Sequence, residues 1–195
     1  MKTICLSVLL ALAGVSLFGR QNATEPKASV TVCMKAELQA LMGVRPMASA
    51  MFAGIGVGID WREPDACPAE AGAIRVEWSY DSRRYPNAEA LAFANPYADT
   101  IVVFVDRVHE LDRNGVGFVM AHVLVHEITH IIEGIDRHSA SGIMKAHWNA
   151  SDYFEMRRRL LKFAQEDIAL ISAGLKTPRA RAAAVVTKAP VVAGR

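Results

Sequence analysis

The sequence predicts an α+β fold in which a mixed, twisted sheet packs on a central helix, with a further helix toward the C-terminus. Three observations carry this expectation. Residues 116–125 contain no Lys, Arg, Asp or Glu and run on into His126-Glu127-Ile128-Thr129-His130, a stretch that reads as a buried helix. Short runs before it have strand character: residues 73–80 alternate apolar and polar, and Ile101-Val102-Val103-Phe104-Val105 is apolar throughout. After it, residues 151–173 place Tyr153, Met156, Leu160, Phe163, Ile168 and Ile171 where an amphipathic helix would pack them on the body.

The elements follow in order. Met1-Lys2 and a short apolar stretch over residues 4–15 have the form of a secretory signal ending near residues 19–23, too short to favour a membrane span. Residues 1–23 are assigned to that signal, 24–175 to one folded domain, and 176–195 to a basic disordered tail. The tail holds Lys176, Arg179, Arg181, Lys188 and Arg195 and no acid. Within the domain, Val30-Thr31-Val32-Cys33 reads as a strand, followed by a helical region through Leu41 and another over residues 46–53. Residues 54–61 read as a strand punctuated by Gly54, Gly56 and Gly58, residues 73–80 as a half-exposed strand, and residues 100–105 as a buried one. Asp112 or Asn114 can cap the central helix and Gly134 can stop it.

Composition bounds the function. A chain of 195 residues with 52% hydrophobic content suits one core better than two full domains. The formal charge of +2 falls close to neutral once Lys2 and Arg20 leave with the signal, so nothing points to nucleic acid. Export would also remove Cys5 and leave Cys33 and Cys67, which an oxidising compartment would pair. Closing that loop contributes about 3 to 4 kcal/mol in the chain-entropy account.

All six histidines lie between His109 and His147. On a helix, His126 and His130 are offset by roughly 40° and about 6 Å, so both rings can reach one ion. Zinc is the natural occupant. Glu127 is placed to deprotonate a metal-activated water without being a ligand. Two histidines and a glutamate in an apolar helix need compensating partners, and a metal is one. A third ligand should come from beyond the helix, with Asp136 and His138 nearest. Asp152 or Glu155 is a weaker option, each read instead as a surface charge or helix cap. His122 shares nearly the same face but is read as a hydrogen-bonded core residue, since three histidines on successive turns span too far for one ion. His109 and His147 are read as structural or surface residues.

The segment Gly134-Ile135-Asp136-Arg137-His138-Ser139-Ala140-Ser141-Gly142-Ile143-Met144 resembles the metzincin metallopeptidases, matrixins and archaemetzincins in particular, where HExxHxxGxxH precedes a serine and a Met-turn. The resemblance is strong from His126 to Met144 and looser elsewhere, where the order of strands and helices is similar to the same architecture. Two departures stand out. The family glycine would fall at Glu133 and the third histidine at Asp136, so Gly134 is late by one position and His138 by two. Met144 nevertheless keeps the matrixin distance from His126, as a two-residue expansion followed by a matching contraction would allow.

The resemblance implies a zincin-like domain over 24–175 with zinc on His126, His130 and His138. Asp136 is kept as the alternative third ligand, because some metzincin-like enzymes resemble that arrangement. His138 is favoured because imidazole is a common catalytic-zinc ligand and Ser139 follows it. The resemblance further implies an Ile143-Met144 turn below the metal and an edge strand over residues 91–97 to which an extended peptide adds. The tyrosine found in some families falls at Ala146, leaving Tyr153 or His147 as candidates to stabilise an oxyanion.

The expected activity is that of a secreted or periplasmic zinc-dependent endopeptidase acting on a peptide or protein substrate, without stable membrane insertion after signal removal. The alternatives are a catalytically inactive zinc-binding envelope or interaction protein, and a zinc amidase acting on cell-wall peptides. Glu127 favours an enzyme, since a purely structural site does not need that carboxylate.

Overall fold

The computed structural model describes residues 26, 28–35, 43–68, 72–87 and 89–177. The assigned signal over residues 1–23, the helical region through Leu41 and the tail beyond Thr177 lie outside the described residues. In chain order the elements are β1 (Ala28–Met34), α1 (Val44–Ala53), β2 (Val57–Arg62), β3 (Ile74–Ser79), β4 (Ala92–Asn95), β5 (Thr100–Phe104), α2 (Val105–Leu111), α3 (Val116–Glu133), α4 (Ala150–Arg158) and α5 (Gln165–Gly174).

The five strands form one mixed sheet in the order β2-β1-β3-β5-β4. β1 runs parallel to β2 and β3, β3 runs parallel to β5, and β4 closes one edge antiparallel to β5. Burial explains the apolar central strands: Val32, Ile101 and Val103 are fully buried, and Thr31 and Val102 on alternate positions are nearly so. α3 packs against α1, α2, α4, α5 and the β4-β5 edge, which is why it is apolar around most of its circumference. Met120, Leu124 and Ile128 fill the space between it and its neighbours. The α+β architecture expected from the sequence, a mixed sheet on a central helix, is the one observed.

Several boundaries differ, each for a physical reason. Residues 54–56 are a turn, with Gly56 at φ +78°, so the strand expected over 54–61 starts at Val57. Val105 leaves β5 and opens α2, an unforeseen helix hidden behind a continuous apolar run. Gly115, not Asp112 or Asn114, takes the cap position of α3. Asp112 stands nearby: its carboxylate accepts the Gly115 N–H at 2.9 Å and pairs with Arg157 from α4, tying the start of α3 to the C-terminal part of the chain.

The helix expected over 151–173 is two helices, α4 and α5, joined by an extended link from Arg159 to Ala164. Tertiary bonds hold that link open. The Leu161 N–H donates to His122 Nε2 at 3.0 Å, and the Lys162 carbonyl accepts the Ile143 N–H at 3.1 Å. A helix through this segment would forfeit both bonds and the close approach of Gly142, where a Cβ would lie 2.3 Å from the Lys162 carbonyl oxygen. Cys33 near the end of β1 is joined to Cys67 just after the 3-10 turn Pro64–Ala66, their Cα atoms 5.6 Å apart.

Candidate metal centre

Helix α3 carries His126 and His130 on one buried face, and Gly134 at φ +69° ends the helix by sending its N–H back to the His130 carbonyl. That left-handed residue turns the chain so that residues 135–138 return over the histidine face. His126, His130 and His138 come together there, with one ligand atom from each within 4.8 Å of the others. The ring centroids of His138 lie 5.2 Å from His126 and 5.0 Å from His130. Asp136, the other candidate third ligand, does not belong to this group.

The hydrogen bonds fix what the two helical imidazoles present. His126 Nδ1 is 2.9 Å from the Ile143 carbonyl oxygen and His130 Nδ1 is 3.2 Å from that of Ile135. A carbonyl only accepts, so both Nδ1 atoms carry the proton and both Nε2 atoms are bare lone pairs. Those two Nε2 atoms face each other at 3.0 Å. Burial pushes His126 down to about 4 and His130 in the same direction, so neither ring takes up a second proton at neutral pH. Two bare lone pairs at this separation repel unless a cation lies between them. The donor set therefore fits zinc: three imidazoles, two of them oriented by backbone carbonyls, with His138 exposed.

The turn below the site is built from the same bonds. Ile143 and Met144 are fully buried, the Ile143 carbonyl holds His126, and the Met144 carbonyl accepts the Ser139 N–H at 2.7 Å. The residue after the third histidine is thus bonded directly to the turn.

Glu127, between the two helical histidines, is only 8% exposed, and the Ala94 main chain of β4 nearby favours its ionised form. Desolvation, followed by the nearby Asp136 charge, pushes it up to about 8. In metal-free protein this predicts a pH signature. The folded-state value lies above the ordinary 4.5, so the stabilisation from holding Glu127 neutral is complete below that pH and is lost as pH rises through about 8. Metal-free Glu127→Gln should therefore gain on wild type between pH 5 and pH 8, by on the order of 3 kcal/mol. Thermal melts of both proteins across that range check it, and a constant gap would contradict a neutral buried Glu127.

Other candidates sit elsewhere. His122 is fully buried, donates from Nδ1 to the Phe118 carbonyl at 2.7 Å and accepts the Leu161 N–H, as a core residue would. His109 and His147 are exposed. Asp152 bonds Lys145 at 2.5 Å and completes the capping box of α4, while Glu155 pairs with Arg159. Trp148, unmarked in the sequence, packs edge-on against His126 with centroids 5.6 Å apart, and Tyr153 packs in turn against Trp148 at 6.4 Å.

No family model and no curated protein matches this chain. Among solved structures it is similar to an archaemetzincin from Methanopyrus kandleri, at 14% identity and a TM-score of 0.52, covering 82% of this chain and all of that one. It is also similar to a zinc-dependent peptidase from Methanocorpusculum labreanum, at 13% identity and a TM-score of 0.53, covering 74% of this chain and 99% of the other. At these identities the likeness establishes the fold: the chain is built on the archaemetzincin-like architecture of zinc peptidases.

Proposed function

We propose that this protein is a metzincin-like zinc-dependent endopeptidase that works outside the cytoplasm. The observation that carries the reading is the pair of bare imidazole nitrogens 3.0 Å apart, joined by His138, beside the buried carboxylate of Glu127. Zinc held by His126, His130 and His138 would supply Lewis acidity toward a peptide carbonyl and water. Glu127 takes the proton from the attacking water and returns it to the leaving amine. The Ile143 and Ile135 carbonyls hold Nδ1 of His126 and His130, so the opposite Nε2 lone pairs of these two residues, with His138, would hold the ion.

The substrate strand has a place to lie. Phe104 donates to the Leu91 carbonyl at 2.9 Å, so the bonded pairs of β4 and β5 alternate from there. Ala92 and Ala94 accordingly turn their main-chain groups to the free edge, and the Ala94 main chain lies near Glu127. An extended peptide adding to this edge would bring its backbone alongside the catalytic carboxylate. The Cys33–Cys67 pair and the N-terminal signal pattern support an oxidising, extracytoplasmic location.

Elemental analysis of the purified protein, with and without chelation, tests the reading together with cleavage of an unfolded protein substrate. One zinc per chain and cleavage that chelation abolishes and zinc restores are expected. Zinc without cleavage would transfer the site to a binding role, and absence of zinc after metal-replete purification would overturn the proposal.

A further inference from the structure

Resting on the zinc-site reading above, we infer that Asp167 on α5 is the positioning residue for His138. His138 is exposed, and among the described residues its ring has no hydrogen-bond partner, unlike His126 and His130 with their carbonyls. The flanking residues hold it instead. Arg137 donates to Asp167 Oδ1 at 2.5 Å, and the Ser139 hydroxyl donates to the same oxygen. Asp167 Oδ2 accepts the Ala164 N–H at 3.0 Å, which locks the carboxylate at the start of α5.

Asp167 is fully buried, whereas the neighbouring Glu166 is exposed. A buried carboxylate is costly unless paired, and this one is paired on both sides of one metal-ligand candidate. Arg137 also donates to the His138 carbonyl at 3.2 Å, so His138 is bracketed by groups that all refer back to Asp167. Ser139 is further fixed through its N–H to the Met144 carbonyl, so α5, the third-ligand loop and the turn below the site meet at this carboxylate. The physical consequence is a division of labour: backbone carbonyls orient the two helical ligands, and a remote buried charge orients the third.

The test is zinc affinity measured by competition with a chromophoric chelator, on wild type, Asp167→Asn, His138→Ala and the double variant. Wild type is first shown to bind one zinc, and the metal-free variants are shown to be folded by thermal melts. Asp167→Asn should weaken zinc about 10- to 100-fold, the range found for groups that orient metal ligands. In the His138→Ala background the same substitution should change zinc affinity by less than about twofold, because the ligand it positions is gone. Additive losses in the double variant would show general destabilisation and overturn the inference, as would unchanged affinity in Asp167→Asn. Should Asp167→Asn fail to fold, Ser139→Ala removes one of the two flanking bonds and enters the same cycle, with the same non-additivity expected. Wild type without zinc overturns the site reading itself, an outcome distinct from zinc-bound wild type with an indifferent Asp167.

Discussion

Glu127→Gln should retain zinc and lower kcat for peptide hydrolysis about a thousandfold, within the range a general acid–base group supplies, with KM changed little. Gln keeps the size of the buried side chain, and β4 is held in place by its pairing with β5. Gln cannot accept a proton. The environment of Glu127 makes this the largest single effect on turnover. Burial and the Asp136 charge favour the protonated form, whereas a cation held by the adjacent imidazoles would favour the carboxylate and so make Glu127 available as a base. Steady-state kinetics on zinc-loaded protein, with metal content measured on the same samples, checks the expectation. A Gln variant retaining more than about a tenth of wild-type kcat would remove Glu127 from proton transfer.

The legible features were those decided by local spacing. His126 and His130 lie on one helix face because they are four residues apart, and Gly134 ends the helix because only the left-handed conformation at that point continues the chain without strain. Strand character in residues 73–80 and 100–105 was readable because β3 is half-exposed and β5 is buried on both faces. What escaped was decided by contacts distant in sequence. The apolar periodicity of residues 151–173 is genuine, yet Leu161 and Lys162 bond to His122 and Ile143 rather than to their own helix. Trp148 carries no motif, and it packs on His126 while its indole N–H donates to the Gly142 carbonyl at 3.4 Å. Asp167 carries no motif in the sequence, and only the tertiary structure joins it to the two residues beside His138.

Loss of a ligand from the metal site yields the other large effect. His126→Ala should weaken zinc by more than about a hundredfold, beyond what loss of a merely orienting group produces, because it removes a buried lone pair that a carbonyl holds on the ion. His138→Ala should act in the same direction. Asp136→Ala should leave zinc bound, since that carboxylate lies outside the ligand cluster. Its effect falls on Glu127 instead. Asp136 raises the Glu127 proton affinity, so removing it lowers that value and shifts the acid limb of the kcat/KM profile to lower pH. Zinc competition on the three variants and a pH profile of Asp136→Ala separate the assignments cleanly. Zinc lost with Asp136→Ala and kept with His138→Ala would make aspartate the third ligand. An acid limb that stays where it is would mean that Asp136 does not act on the base. If zinc stays and the limb moves down, the two residues that compete for one role in the sequence hold different ones: His138 holds the ion, and Asp136 sets the pH at which Glu127 can take a proton.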